Sequence, residues 1–574
     1  MVSSSGDWVR ATTLSDLSDG GRARFTHHDK RLAIFRTERA VRAVDNRCPH
    51  QGYSLAAGDL KGEVLTCAWH NWKFDLAAGG ACTFGGEGVR SYPVEVRGDE
   101  VWVDVTDPTP EQISPALFAS LLEAIGDVDT GRMARDTARL QAVGVPLAEV
   151  VREGARYGAP RGEYGWNHSL ATLTDCVALS SLFDRRLESL PVVQGLSVLA
   201  QNEVRRPLRP QPDAVDPVAT YGSVADALAA YPALVDDEQS DTAEALLRGL
   251  IATDVAPAMI RGALLSAVTD HFLGYGHPMI YVQKSFELLD VVGWGEADTV
   301  LAPLVPATVL STRYDRLPYM RRYFTTWQAA DLDLAALLRR PGLAGTPDDE
   351  LVRAMLDGSP EAAFDALHLA LKTGVPVESI LDVVSRAAAE RLRRFDVDLD
   401  LDDANEWGWL DVTHTLTYLA AYRWAWSVCP TAEVLRGLFH AVWFVQWTQR
   451  LDTRGGGRGP APFATTNADD VLERIRRKDV DGVVALIRGY DGPPAHLAAA
   501  LAQAAAEDNA VAPIMVAHAI KTTRAAITES ARTGDRSALV GAARFLAAPK
   551  RERFVHNATL EALDFVAGRA RDED

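Results

Sequence analysis

The chain has 574 residues, too many for one hydrophobic core, so at least two domains are expected. Hydrophobic content of 47% and charged content of 24% are ordinary for a soluble globular protein. A formal net charge of −19 argues against nucleic acid as a partner, because phosphate must be met by a basic face. No apolar run reaches about 18 residues, so no membrane span is expected. The N-terminus (MVSSSGDWVR) lacks the basic-then-apolar pattern of a secretory signal. Five cysteines are too few for a disulfide framework, and the expected compartment is the cytoplasm, where thiols stay reduced.

Residues 1–107 read as all-β. Short alternating runs at 33–35, 41–44, 64–65, 94–96 and 101–105 are punctuated by Gly, Asp and Asn at hairpin-like spacing. Within them lies Cys48-Pro49-His50, then sixteen residues, then Cys67-Ala68-Trp69-His70. Each loop offers one thiolate and one imidazole. A Rieske [2Fe–2S] centre needs this set: two Cys hold one iron and two His the other, and neutral His ligands raise the potential. A zinc ribbon also uses Cys/His pairs, but seldom with this spacing. Cys82 lies outside the pattern and reads as a small buried residue.

A Pro-bearing link, 107–110, leads into residues 108–574, where Ala and Leu dominate and apolar residues return every three or four positions. Helical runs are expected at 116–125, 224–230, 243–251, 351–355, 380–392, 496–506 and 538–546, and surface loops at 205–217 and 453–462. The fold class is therefore multidomain: a small all-β domain, 1–107, followed by a large all-α candidate catalytic domain, 108–574. No G-x-G-x-x-G opens a helix after a strand, so no built-in NAD or FAD reductase is visible. The D-x-x-H-x(3–4)-H helix of ordinary Rieske oxygenases is missing as well: Asp411 and His414 begin it, but no second His follows. His271 and His277, six apart, would stand about 120° from each other on a helix. Any iron here must draw ligands from separate helices.

Nine histidines fall in the helical part: 168, 271, 277, 368, 414, 440, 496, 518 and 556. His168 has an aromatic and apolar setting. His277 opens a Gly-His-Pro helix start, with His271 a weaker candidate beside it. His414 has Asp411 one turn back, either orienting the imidazole or capping the helix. His518 has Lys521 at i+3, and a buried Lys is costly unless paired, neutral or modified. His368 and Lys372 read as a helix C-terminus, with a minor chance of a role. Clustered tryptophans (407, 409, 424, 426, 443, 447) read mostly as core and could line a pocket.

The flanks of the cysteine motifs extend the likeness: His70-Asn71-Trp72-Lys73-Phe74-Asp75 is similar to the H-x-W-x-F-D continuation of Rieske ferredoxins and oxygenases, and about 105 residues resemble a Rieske ferredoxin domain. The helical part resembles the questin-oxidase-like family, helical oxygenases that open or cleave polyketide anthraquinone rings. Asn167-His168 is similar to that family's early N-H motif, and Gly276-His277-Pro278-Met279-Ile280 to its H-P-L-I-H motif, with Tyr281 in place of the second His. The segment His414-Thr415-Leu416-Thr417 is similar to its H-x-x-T motif, and His518-Ala519-Ile520-Lys521, followed by Arg524-Ala525, to its late H-x-x-K-x-x-R-A motif. This resemblance implies a mononuclear non-haem Fe(II) held by His168, His277, His414 and His518, with Lys521 as a carboxylated ligand.

Together these readings give an iron oxygenase. The cluster on Cys48, His50, Cys67 and His70 takes electrons from an external ferredoxin or flavin reductase, and a helical iron site, with His414 and Lys521 as its catalytic pair, activates O2 against an apolar aromatic substrate. The alternatives are a di-iron redox enzyme, or an electron carrier whose helical part is a docking scaffold for a separate oxygenase.

Overall fold

The computed structural model describes residues 6–17, 21–84, 86–339, 349–402, 407–453, 459–507, 510, 512–551 and 554–568. Two compact units divide the chain, Met1–Pro146 and Leu147–Asp574.

The first unit carries strands β1 (Trp8–Thr13), β2 (Arg22–His27), β3 (Lys30–Arg36), β4 (Val41–Asp45), β5 (Asp59–Lys61), β6 (Val64–Thr66), β7 (Lys73–Asp75), β8 (Ala81–Cys82), β9 (Ser91–Tyr92), β10 (Val94–Arg97) and β11 (Glu100–Asp104). They form three antiparallel sheets, ordered β1-β11-β10, β2-β3-β4-β9 and β5-β6-β7-β8. Strand β3 reads as an unbroken apolar run because both its faces are covered. Ala33 and Phe35 enter a core with Cys48, Leu65, Cys67 and Phe74, while Leu32 and Ile34 enter another with Val101 and Val103.

At 107–110 the chain turns from strand to helix. Gln112 Oε1 accepts the Thr109 N–H at 2.9 Å, and Pro110 occupies the first turn of α1 (Pro110–Gly126). Helix α2 (Thr130–Ala142) is capped by Asp129, whose side chain accepts the Arg132 N–H at 2.9 Å, and folds back along α1. The compact unit runs through α2 because Arg135 and Arg139 both pair with the buried Glu87 of the β part.

The second unit is helical, and its described residues contain isolated bridges but no strand. Each expected helical run lies within a helix, and residues 206–216 form a loop. Of the 453–462 segment, 454–458 lie outside the described residues. Four helices matter for the site: α3 (His168–Ser180), α4 (His277–Val292), α5 (Trp409–Val428) and α7 (Pro513–Thr533); α6 (Ala432–Trp447) supports them. Helix α3 packs on α4 and α7, and α5 packs on the same two, closing a ring. Their ends are locally encoded. Asn167 Oδ1 accepts the Ser169 N–H at 2.8 Å, left-handed Gly276 (φ 88°) precedes His277-Pro278, and left-handed Gly534 (φ 71°) ends α7. Helices α3, α4 and α5 are buried over most of their length, whereas α7 exposes Thr528 and Arg532 toward its C-terminal end. Trp409, Trp426 and Trp443 are core. No described helix is long and apolar enough to cross a membrane.

Candidate metal centres

The two cysteine loops of the first unit are built on the same hydrogen-bond frame. Cys48 N–H donates to Tyr53 O at 2.8 Å, and the Cys48 carbonyl accepts the Gly52 N–H at 2.7 Å. Cys67 N–H donates to Trp72 O at 2.7 Å, and the Cys67 carbonyl accepts the Asn71 N–H at 3.2 Å. The fourth residue after each Cys must enter the left-handed region, and Gly52 (φ 74°) and Asn71 (φ 61°) are residue types that do so. The His50 and His70 rings meet edge to face, 4.6 Å between centroids, and His50 stacks on Trp72 at 5.0 Å.

This set fits a cluster on three counts. Cys48 and Cys67 are buried side by side, with Sγ contact between them. Burial pushes the Cys48 thiol up to about 11, against the backbone N–H groups of His50 and Gln51, which favour the thiolate. His50 Nδ1 is buried with no hydrogen-bond partner, which is costly unless a metal takes the lone pair. Sequence reasoning missed Arg135: its Nη1 donates to His50 O at 3.5 Å while its Nε holds Glu87 at 2.7 Å.

In the second unit, His168, His277, His414 and His518 come from four helices and bring one ring nitrogen each within 4.8 Å of the others. His277 Nε2 stands 3.0 Å from His168 Nε2 and 2.9 Å from His414 Nε2; His518 Nε2 stands 3.3 Å from His168 Nε2. Ligands at right angles, each about 2.1 Å from one ion, would stand about 3 Å apart. The tautomers are fixed from behind. His277 Nδ1–H donates to Gly274 O and His414 Nδ1–H to Leu410 O, each at 2.5 Å. Thr413 Oγ1 donates to Leu410 O at 3.0 Å and so accepts His518 Nδ1–H at 2.9 Å. Three Nε2 lone pairs therefore face inward. Burial, reinforced by Lys521, holds all four imidazoles well below the usual His range, His277 at about 3. The His277–His414 contact thus opposes two lone pairs with no proton between them, an arrangement that suits a cation.

Asp411 does not orient His414. Its Oδ2 accepts the Gly408 N–H at 2.6 Å, capping α5, and the Leu410 carbonyl takes the orienting role because it lies directly under the ring. Tyr281, one turn after His277, sets its phenol 3.4 Å from His168 Nδ1. Tyr275, left-handed at φ 58°, lies edge to face with His414 at 5.5 Å.

A charged layer lies two turns along from the histidines, about 10 Å by helix rise. Asp175 is seven residues after His168 and Lys284 seven after His277, and they pair at 2.8 Å, with Glu287 on Lys284 at 2.9 Å. Lys521 lies between the layers. Its Nζ is buried without a hydrogen-bond partner, and burial pushes it down to about 7.

The other histidines go elsewhere. His271 Nδ1 meets Asp315 at 2.8 Å, and its neighbours Asp236 and Asp270 are taken by Arg313 and Arg436. His440 Nε2–H donates to Thr269 O at 3.1 Å and its Nδ1 accepts Tyr323 O–H at 2.6 Å. The helix carrying His368 ends at Lys372.

Residues 7–93 match the family described as Rieske [2Fe-2S] domain. The ferredoxin component of the naphthalene 1,2-dioxygenase system of Pseudomonas putida is 31% identical over 100 residues, 17% of this chain and 96% of that protein. The ferredoxin component of the alkene monooxygenase system of Xanthobacter autotrophicus is 30% identical over 107 residues, 18% of this chain and 87% of that one. The solved ferredoxin of carbazole 1,9a-dioxygenase from Nocardioides aromaticivorans is 30% identical, covers 17% of this chain and 98% of its own, and has a TM-score of 0.17. Over residues 7–93 the chain belongs to the Rieske [2Fe–2S] family, and that domain gives it an electron-transferring, oxidoreductase role.

Proposed function

We propose that the chain is a two-part iron oxygenase, with residues 1–107 as the electron-transfer domain and 108–574 as the catalytic domain. Cys48 and Cys67 hold one iron of the cluster, His50 and His70 the other. His168, His277, His414 and His518 hold a mononuclear non-haem iron. The observation that carries the reading is the pair of lone pairs facing each other at 2.9 Å between His277 and His414, in a layer kept neutral by burial. The two metal groups, when bound, supply one-electron transfer and dioxygen activation.

The residues around them do the rest. Gly274, Leu410 and Thr413 fix three imidazoles as Nδ1–H tautomers, so that no rotation or proton loss is needed on metal entry. Tyr281 holds the fourth ring from its outer edge. The four helices bury His414 and His518 and leave His168 and His277 half-buried. Lys521 is the candidate for CO2 addition, as the questin-oxidase-like resemblance implies: an N–C bond forms, one proton leaves, and a buried amine becomes an anionic oxygen ligand. An external ferredoxin or flavin reductase donates the electrons, and an apolar aromatic molecule is the substrate. Support for this partner class comes from the relatives named above, which are ferredoxin components of oxygenase systems.

Iron counting tests the reading. The wild type should hold three irons per chain, two of them in the cluster. His414→Ala and His518→Ala should each hold two, with an unchanged Rieske spectrum. Variants that keep three irons and full activity would refute the site. A wild type with two irons would leave the helical part as a docking scaffold.

A further inference from the structure

The charged layer opens to solvent through a cleft of about 200 Å³, smaller than the roughly 300–1,000 Å³ of drug-sized pockets and suited to one ring or the leading edge of a larger molecule. Its walls include Ile280, Gln283, Thr417 and Trp424. One side is a stripe along α7. Lys521 is buried at the inner end, Arg524 is half-buried, and Thr528 and Arg532 are exposed at the mouth. This stripe runs outward from His518.

The charges are unevenly satisfied. Five cations line the cleft, Lys284, Arg423, Lys521, Arg524 and Arg532, against three carboxylates, Asp175, Glu287 and Glu529. The carboxylates are already engaged. Asp175 and Glu287 hold Lys284 at 2.8 and 2.9 Å, and Glu529 holds Arg423 at 2.9 Å, with Asp382 adding a contact at 2.8 Å. Among the described residues no carboxylate forms an ion pair with Lys521, Arg524 or Arg532. Lys521 Nζ and Arg524 Nε lack hydrogen-bond partners, and Arg524 reaches only Thr528. Buried donors left open in a basic stripe, on a chain of net charge −19, ask for an oxyanion.

We propose that this cleft is an oxyanion subsite that takes the carboxylate or phenolate of an aromatic substrate and draws it inward along Arg532 and Arg524 toward Lys521 and the four-histidine layer. The substrate is then aromatic and acidic rather than wholly apolar. That assignment rests on the oxygenase reading; the anion binding itself does not. Arg532, at the rim, steers the anion, and Arg524 holds it.

The test is calorimetric titration of the full-length protein with benzoate, benzamide and bicarbonate, with iron counted in the same samples. Benzoate should bind one to one, more weakly as salt rises, and at least tenfold more tightly than the neutral benzamide. Arg524→Gln should lose at least tenfold in benzoate affinity, and Arg524→Lys should recover most of it. Competition by bicarbonate supports an oxyanion site open to either source; benzoate binding untouched by bicarbonate supports an aromatic carboxylate as its ligand. Equal binding of benzamide, or full benzoate affinity in Arg524→Gln, overturns the proposal. Arg524-dependent benzoate binding in a protein with no helical iron upholds the subsite and refutes the oxygenase reading. A third iron without benzoate binding does the reverse.

Discussion

His414→Leu separates the cost of the histidine layer from its use. Leucine has a similar volume, so the change leaves little cavity. It removes the Nε2 atom that opposes His277 Nε2 at 2.9 Å, and its lost Nδ1–H partner, the Leu410 carbonyl, still accepts from Thr413. An unsatisfied buried polar group costs about 1–3 kcal/mol, so the metal-free variant should be more stable than the metal-free wild type by that order. For a helical unit of about 430 residues the unfolding entropy is about 0.9 kcal/mol/K, so the gain is about 1–3 °C in Tm. Iron should reverse the order. A metal at one hundred times its Kd stabilises by about 2.7 kcal/mol, or about 3 °C here, and the variant should lose that increment. Scanning calorimetry on chelated and Fe(II)-loaded samples under anaerobic conditions measures both shifts. A metal-free variant that melts several degrees below the wild type, or one that keeps the full iron-induced rise, would refute the argument.

Two further outcomes follow from charges outside that layer. Arg135 places a guanidinium against the His50 carbonyl while Glu87 is shared with Arg139, so Arg135→Gln should lower the midpoint potential of the cluster by an amount on the order of 1 kcal/mol, about 40 mV for one electron, with Arg135→Lys closer to the wild type in a redox titration followed by EPR. His440 is held neutral by burial, at about 3, against about 6.5 in the unfolded chain. Below about 6.5 the unfolded state binds a proton that the native state refuses, so stability falls as the pH drops from about 6.5 toward 3. This imidazole alone should account for about 2 kcal/mol of loss at pH 5, seen in urea titrations as a shallower acid slope for His440→Asn. An unchanged slope would show that His440 is not the group responsible.

What could be read from the sequence follows the range of the interactions. The cysteine loops are local: each closes within six residues, and the ligand pairs, Gly52 and Asn71 all sit inside it. Strands β3, β4, β6, β10 and β11 were legible because their apolar residues are contiguous or alternate within a few positions. Strand β1 was not, since its pattern is set by pairing with β11, about 90 positions away, and β8 and β9 have two residues each. Arg135 and Glu87 lie 48 positions apart, so no local pattern links them. Asp411 is local in sequence but leaves two roles open, orienting the imidazole or capping the helix. Its spacing to His414 suits an orienting carboxylate, but at the first turn of α5 the exposed backbone N–H groups compete for it and win.

Short motif likenesses point to the helical site, and helix packing decides what those motifs do. A histidine on each of four helices says nothing about which helices meet. Once α3, α4, α5 and α7 close a ring, the seven-residue step from His168 to Asp175 and from His277 to Lys284 puts a charged layer beside a neutral one. Within it the two lysines are treated differently. Lys284 has two carboxylates within 2.9 Å, so this fold can neutralise a buried amine completely. Lys521 has none within hydrogen-bonding distance, and leaving it so costs at least about 1–3 kcal/mol. Core packing alone would favour Leu or Met at this position over an unpartnered amine. Lys521 also sits where the histidine layer and the basic cleft meet, so the burden is best explained by a ligand that the chain does not itself supply: CO2, the metal, the incoming oxyanion, or these in combination. Lys521→Met separates the two causes. If the amine is there for a ligand, the metal-free variant gains stability while iron retention or benzoate affinity falls; if it is structural, stability falls and both bindings persist.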